Sequence, residues 1–354
     1  MLDKDPLDTV LIIGKNIKYA DRFWGNIEMG GWWLCVFYTN CFAGAILSCS
    51  LMSGVIFGQD DVLQIETNLV KVPVTISDRD GRYLTGLSKE DFAIFENGKE
   101  QAITFFEAVD TPVSVLLLLD LSGSMNQYLV DIGKASAVFI SKLRDSDTII
   151  VAGFVDDKKL HILSEPVLKK NFKTLIRLKE RYGDSFTTTF DAVENAIKYM
   201  SRFSGRKAIV LFSDGELYGR GASVKSNFRD AEEDESLIYT VRFGNYPISL
   251  PADKNRNWRS PLTQKEKNKR VKAANDYLNG LSYRTGGKSF EVSQIDNLSE
   301  TFHLISDELG RQVLVGYSPE IQPEDGERRT ITVKVSRPDV AVRSRNEVVY
   351  KKRK

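Results

Sequence analysis

The chain has 354 residues, of which 42% are hydrophobic and 27% charged, so it is long enough for one large globular domain or two smaller ones. Its formal net charge of +1 gives no support to nucleic-acid binding through a basic surface. The three cysteines all precede residue 50, which excludes a disulfide framework or a thiolate metal site from the rest of the chain.

The N-terminal region contains an unusual uncharged segment. Residues 1–28 show no clear pattern and are treated as an N-terminal extension, whereas residues 29–59 contain 31 successive positions without a charge. That length is sufficient to span a bilayer. The segment is either a signal peptide, cleaved between Cys49 and Asp60, or an uncleaved membrane anchor. Acylation at Cys49, in a segment that loosely resembles a bacterial lipobox, is a third alternative.

The position of positive charges favours export of the body that follows. Lysines and arginines lie upstream of the apolar segment, and the nearest lysine downstream is Lys71. Met29 immediately precedes the segment and is an alternative start, although starting there would remove those upstream charges. We therefore expect a periplasmic, extracellular or membrane-anchored protein whose main body lies outside the cytoplasm.

Residues 60–111 are predicted to be rich in β-strands. Apolar residues alternate from Val70 to Ile76, which indicates a strand with one buried face. Pro73 within this strand predicts an edge position. The dipeptide Asn97-Gly98 predicts a hairpin that joins residues 92–95 to residues 103–106.

Residues 112–310 alternate between strand and helix patterns. This alternation predicts an α/β fold with a doubly wound, mainly parallel sheet and helices on both faces. Residues 311–354 return to strand-like patterns, and neither terminal β-rich segment is sufficient for an independent domain. We expect the two terminal segments to pair into a β-sandwich, with the α/β domain inserted between them.

A candidate metal site follows the first strand of the α/β domain. The apolar run Val113–Leu119 predicts a strand that is buried on both faces, and it ends in Asp120, Ser122 and Ser124. Open α/β sheets bind their ligands at the carboxyl ends of their strands. Carboxylate and hydroxyl oxygens suit Mg²⁺, Ca²⁺ or Mn²⁺ better than zinc or copper.

Two further pieces accompany this motif, and together they resemble a known family. The sequence DLSGS contains Asp120, Ser122 and Ser124, a Thr-Thr-Thr run follows at 187–189, and LFSDGE contains Asp214. This set is similar to the metal-ion-dependent adhesion site (MIDAS) of von Willebrand factor A (vWA) domains. The position of Asp191 selects Thr187 as the family threonine, and Thr188 remains an alternative. Residues 86–106 and 314–338 resemble the flanks of a bacterial vWA-related family described from Acidobacteria, whose members are typically exported.

The resemblance implies a binding function and no catalysis. Its expected metal-site residues are the following: Asp120, Ser122, Ser124, Thr187 and Asp214. One coordination position would stay open for an Asp or Glu carboxylate of a partner protein, in adhesion or assembly. The first alternative is a structural cell-envelope component whose metal site is degenerate or only stabilising. A metal-dependent hydrolase fits less well, because the sequence offers no evident base or nucleophile.

Overall fold

The structure, a computed structural model, describes residues 69–107, 111–155, 159–172, 178–179, 188–244 and 263–350. The apolar segment 29–59, which contains all three cysteines, and the candidate ligand Thr187 lie outside the described residues. The predictions about them stay predictions.

The described secondary structure alternates between strands and helices in its middle part. The strands are β1 (Val70–Ser77), β2 (Phe92–Glu96), β3 (Lys99–Gln101), β4 (Ile103–Glu107), β5 (Val113–Asp120), β6 (Thr148–Phe154), β7 (His161–Leu168), β8 (Arg206–Ser213), β9 (Leu237–Phe243), β10 (Ser289–Val292), β11 (Val313–Tyr317), β12 (Arg328–Val335), β13 (Ala341–Ser344) and β14 (Glu347–Val349). The helices are α1 (Leu129–Lys142), α2 (Thr189–Met200), α3 (Val224–Glu233), α4 (Gln264–Thr285) and α5 (Leu298–Leu309).

A six-stranded sheet forms the centre of the α/β domain, in the order β10-β9-β8-β5-β6-β7. Neighbouring strands are parallel, except that β7 runs antiparallel to β6. The strand β5 lies between β8 and β6, and its residues from Val115 to Asp120 are all buried. This central position explains its unbroken apolar run and confirms the predicted parallel sheet.

Helices cover both faces of this sheet, as predicted. Val115, Leu117 and Leu119 of β5 belong to the core under α1 and α5. The alternate residues Leu116 and Leu118 belong to the core under α2, α3 and α4. The period of two along β5 therefore divides its side chains between two apolar layers.

The two terminal β-rich segments combine into two four-stranded sheets that share one apolar core. One sheet has the order β13-β1-β11-β4 and the other β14-β12-β2-β3. Each sheet therefore contains strands from both segments. Side chains from both sheets, among them Val72, Ile94, Val315 and Ile331, pack in the shared core. The predicted pairing of the two segments into a β-sandwich is confirmed.

Two details of the sandwich differ from the prediction. The Asn97-Gly98 turn joins β2 to the short β3, whereas β4 crosses to the other sheet and pairs with β11. The turn signal is local, but the partner of the following strand is set by the second sheet. The strand β1 lies between β13 and β11, so the prediction of an edge strand was wrong. The strand β13 pairs only with Val74–Ser77, however, and within the described residues Pro73 has a strand partner on the β11 side alone.

The α/β domain is inserted between two strands that are hydrogen-bonded neighbours. Glu107 at the end of β4 pairs with Leu314 at the beginning of β11. The chain leaves β4, enters β5 at Val113, and returns from the end of α5 at Leu309. Because β5 begins where α5 ends, the sandwich is joined to the edge of the sheet at which the parallel strands start.

A buried polar network connects the sandwich to the α/β domain at this strand-start edge. Glu308 of α5 has a relative exposure of 0%. Its Oε2 accepts a hydrogen bond of 2.8 Å from the Tyr83 hydroxyl of the sandwich, and its Oε1 accepts one of 2.5 Å from Tyr239 of β9. Arg343 of β13 forms an ion pair with the same carboxylate. Burial, followed by the charge of Glu308, raises the pKa of Tyr239, so this hydroxyl stays protonated and donates.

Replacing Glu308 is expected to weaken the whole assembly. Glu308→Ala would leave the Arg343 charge and two tyrosine hydroxyls without their acceptor, at a cost of about 3 kcal/mol, the lower end of the range for breaking a buried pair because Arg343 is partly exposed. Urea denaturation measures this loss. Glu300→Ala, at an exposed position of the same helix, is the control and should change the free energy of unfolding by less than about 0.5 kcal/mol. Equal effects of the two changes would contradict a structural role for the network.

Candidate metal centre

The site is built around Asp120, the last residue of β5. Its side chain is buried, with a relative exposure of 0%. The Oδ1 atom accepts a hydrogen bond of 3.0 Å from the backbone N–H of Ser122, and Oδ2 accepts one of 2.7 Å from the Ser213 hydroxyl. The parallel register pairs Leu119 of β5 with Phe212 of β8, so Asp120 and Ser213 are adjacent at the carboxyl ends of these strands.

Two hydroxyls and a second carboxylate lie beside Asp120. The Oγ atoms of Ser122 and Ser124 are 3.0 Å apart, and the Ser124 hydroxyl donates a hydrogen bond of 2.5 Å to Oδ2 of Asp214. Ser122 precedes a short 3-10 helix, Gly123–Tyr128, but its side chain forms no capping hydrogen bond there. Ser124 therefore contacts a carboxylate ninety positions along the chain (124 to 214), and Ser122 contacts Ser124.

The turn after β8 directs Asp214 toward Ser124. Gly215 has a φ of +90°, a left-handed conformation that favours glycine, and its N–H donates a hydrogen bond of 3.0 Å to Oγ of Ser213. The N–H of Glu216 donates a bond of 3.0 Å to Oδ1 of Asp214, which leaves Oδ2 for Ser124. Ser213 thus contacts both Asp120 and the turn that holds the second acid.

The electrostatics of the pair favour a positive charge. Burial, followed by the negative charge of Asp214, raises the pKa of Asp120 to about 8, although hydrogen bonds from Ser122 and Ser213 act in the opposite direction. The ionised form of Asp120 is therefore unfavourable unless a positive charge lies nearby. A bound cation would supply that positive charge and favour the ionised form of Asp120.

The threonine piece lies at the same edge of the sheet. Thr188 immediately precedes α2, and its hydroxyl donates a hydrogen bond of 3.1 Å to the carbonyl of Val155, just after β6. The hydroxyl of Thr189 donates to the carbonyl of Glu216, in the Asp214 loop. The preferred candidate Thr187 lies outside the described residues, so Asp120, Ser122, Ser124 and Asp214 are the predicted site residues that the structure brings together.

Sequence reasoning missed two residues that support this site. Ser213 is the last residue of β8, whose eight residues are all buried, and a polar side chain at the end of such a strand was an available signal. Asp191 entered only as a spacing marker for Thr187. In the structure its buried carboxylate accepts backbone N–H groups from Arg220, Gly221 and Ala222.

The donor set fits a hard divalent cation. Among the described residues, no group of three or more His, Cys, Asp or Glu side chains is arranged to hold a metal. The site instead combines two carboxylates with serine hydroxyls, which are oxygen ligands of the kind that Mg²⁺, Ca²⁺ and Mn²⁺ prefer. Ser124 is exposed, so the buried acid lies beneath a hydroxyl that solvent and ligands reach.

Solved structures similar to this chain include several vWA proteins at low identity. An aerotolerance-related membrane protein from Bacteroides fragilis is 16% identical, with 56% of this chain and 98% of that chain covered and a TM-score of 0.41. A von Willebrand factor type A protein from Catenulispora acidiphila is 13% identical, with 74% of each chain covered and a TM-score of 0.43. Proximal thread matrix protein 1 from the mussel byssus, with a zinc-occupied MIDAS motif, is 13% identical, with 59% of this chain and 48% of that chain covered and a TM-score of 0.42.

The α/β domain matches the model of a known domain family. No curated protein matches the chain. The family model of the von Willebrand factor type A domain matches residues 114–300, which is more than half of the chain and corresponds to the α/β domain. The protein therefore belongs to the von Willebrand factor type A domain family.

Proposed function

We propose that the carboxyl-end edge of the vWA domain binds a divalent cation and, through it, a carboxylate of another protein. The observation that carries this proposal is the contact between Ser124 and Asp214 above the buried Asp120. Described contacts of the β-sandwich lie at the opposite edge, with Glu308 at the end of α5 and with Glu232 and Asp234 at the end of α3. Adhesion or assembly, with no bond broken, is the function that this arrangement supports best.

The chemistry of the proposed site follows from the ligands. Ser122, Ser124, Asp214, Asp120 and Thr187 are the residues that would hold the ion. Neutral hydroxyl ligands leave a divalent cation strongly electrophilic, so an Asp or Glu of a partner gains from joining it. Mg²⁺ is our first candidate, because it keeps several waters and accepts few protein ligands. Ca²⁺ and Mn²⁺ take the same oxygen donors.

A second candidate is a cell-envelope component in which the metal only stabilises the domain. It is favoured by the threonine piece, because the hydroxyls of Thr188 and Thr189 both donate to main-chain carbonyls. These bonds tie together the segments after β6 and β8, as a purely structural threonine would. The two candidates differ in whether the metal creates a binding surface for a partner.

Cation binding is expected to stabilise the domain. Mg²⁺ at a hundred times its Kd should raise the free energy of unfolding by about 2.7 kcal/mol over the value in EDTA, measured by urea or thermal denaturation. Asp120→Asn should lose this gain and yet be at least as stable as the wild type in EDTA. The reason is that asparagine has the shape of the protonated acid and places no charge beside Asp214.

The matched control is Asp147→Asn. Asp147 is 3% exposed and accepts hydrogen bonds from the backbone N–H groups of Val113 and Arg144, at the strand-start edge of the same sheet. This variant should lose stability in EDTA but keep the Mg²⁺-dependent gain. If Mg²⁺ does not change the free energy of unfolding of the wild type, or if Asp120→Asn shows the full Mg²⁺-dependent gain, Asp120 is not a metal ligand.

Partner recognition is expected to depend on an acidic side chain. Peptides selected from a displayed random library on the wild-type protein in Mg²⁺ should contain an Asp or Glu, and EDTA should release them. Ser124→Ala should abolish their binding, because it removes a proposed ligand that is also exposed at the surface. Selected peptides without acids, or binding that persists in EDTA, would favour the stabilising candidate.

We also propose that the protein is exported, on the basis of the uncharged segment 29–59. Among the described residues, no helix is long and apolar enough to cross a membrane, and the segment itself is not among them. Expression in a bacterial host should place the body outside the cytoplasm, where protease added to spheroplasts digests it. N-terminal sequencing should find a mature end between Cys49 and Asp60 if the segment is a signal peptide. A body that stays protected with an intact cytoplasmic membrane would contradict export.

A further inference from the structure

The loop that carries Asp214 is held in place by a side chain that is not among the proposed metal ligands. Residues 214–223 connect β8 to α3 without regular secondary structure, and most of them are at least partly buried. A loop of this kind keeps its shape only if its backbone groups find partners elsewhere. Those partners come from the first turn of α2.

Asp191, in that first turn, binds three successive backbone groups of the loop. Its Oδ2 accepts a hydrogen bond of 2.6 Å from the N–H of Arg220. Its Oδ1 accepts bonds of 3.0 Å from Gly221 and 3.1 Å from Ala222. The residue has a relative exposure of only 3%. A carboxylate suits this place because it offers two acceptor oxygens and no donor, and charge-assisted bonds are stronger than neutral ones.

Thr189 and Phe190, the two residues before Asp191, bind the same loop nearer to Asp214. The N–H of Phe190 donates a hydrogen bond of 3.0 Å to the carbonyl of Tyr218, and Thr189 donates to the carbonyl of Glu216. A methyl group placed on Gly219 would lie 2.9 Å from Cβ of Phe190 and 2.6 Å from the carbonyl oxygen of Ala222. The loop therefore lies directly against α2, with no room between them.

The contact between the loop and α2 constrains Asp214 through the two peptide units that flank Glu216. Glu216 accepts from Thr189 with its carbonyl and donates to Oδ1 of Asp214 with its N–H, and that bond leaves Oδ2 directed at Ser124. A loop released from α2 would lose the constraint that orients this carboxylate. The orientation of one metal-site acid therefore depends on contacts made four to eight residues further along the chain.

We propose that Asp191 is a positioning residue of the metal site: by holding the loop 214–222 against α2 it orients Asp214 toward Ser124, and so sets the affinity for the cation. This inference rests on the proposed metal-binding function. It assigns Asp191 no contact with the ion. Residues that orient metal ligands typically change metal affinity 10- to 100-fold when they are replaced.

The test compares Asp191→Asn with Asp147→Asn in the full chain. Both replace a carboxylate that is 3% exposed and accepts backbone N–H groups, but the second lies at the other edge of the sheet. Isothermal titration with Mg²⁺ should show a Kd at least tenfold higher for Asp191→Asn and less than twofold changed for Asp147→Asn. In EDTA, hydrogen exchange at Arg220, Gly221 and Ala222 should become faster in Asp191→Asn alone.

Two further variants keep the test decisive. Gly219→Ala pushes the loop away from Phe190 without altering any carboxylate, and it should also raise the Kd; it replaces Asp191→Asn if that variant does not fold. In an Asp214→Asn background, Asp191→Asn should cause no further loss of Mg²⁺ affinity, because its effect passes through Asp214. An additive loss would mean that Asp191 acts by another route and would overturn the inference.

The outcomes separate the two proposals. If the wild type does not bind Mg²⁺, the proposed function fails, and with it any role of Asp191 at a metal site. If the wild type binds Mg²⁺ and both Asp191→Asn and Gly219→Ala bind it equally well, only the positioning role is overturned. Equal weakening by Asp191→Asn and Asp147→Asn would reduce Asp191 to a general stability role.

Discussion

The candidate metal site depends on one unfavourable interaction, the burial of the Asp120 carboxyl group beside a second acid, Asp214. Hydrogen bonds from Ser122 and Ser213 fix the group in place, yet burial and the neighbouring charge still raise its pKa to about 8. Burying an acid in such a place costs free energy, and a bound cation would offset that cost. The proposed site would therefore couple cation binding to stability.

The parallel sheet separates this site from the attachment of the β-sandwich. All strands of the sheet except β7 run in one direction, so their ends share one edge and their starts the other. Asp120 and Ser213 lie at the edge where the strands end. The Glu308 network lies at the edge where the strands start, at the end of α5. Since β4 and β11 are hydrogen-bonded neighbours, the whole α/β domain occupies the position of a hairpin connection. A short entry and a short exit at one edge leave the other edge for ligands.

The sequence predicted features that depend on local pattern and missed those that depend on tertiary contacts. The apolar run of β5 and the DLSGS motif were sufficient to predict a strand buried on both faces with a cluster of carboxylate and hydroxyl side chains at its end. The sequence carries a weak signal for helix α3, because Val224–Glu233 is mostly polar and its start uses Ser223 with Ser226 instead of the usual Glu or Gln. The roles of Ser213 and Asp191 depend on which strand and which loop lie beside them. Periodicity along one segment contains no such information. The position of Ser213 at the end of a buried strand signalled a polar role without identifying its partner, and nothing in the pattern around Asp191 indicated the loop that it binds.

The contacts of Asp191 also explain how a loop without regular structure can hold Asp214, a proposed metal ligand, in one orientation. Backbone N–H groups of the loop would otherwise need water, and water-bonded loops exchange among conformations. A single carboxylate on α2 satisfies three of these groups at once, and α2 is itself fixed by the apolar core that Leu116 and Leu118 share. The position of Asp214 therefore depends on the central strand β5 in two ways. Ser213, next to Asp214, is hydrogen-bonded to Asp120 at the end of β5, and α2, which holds the loop, packs against β5. Asp120, at the end of that strand, is fixed by the same core, so both acids keep their relative placement as long as the sheet is intact.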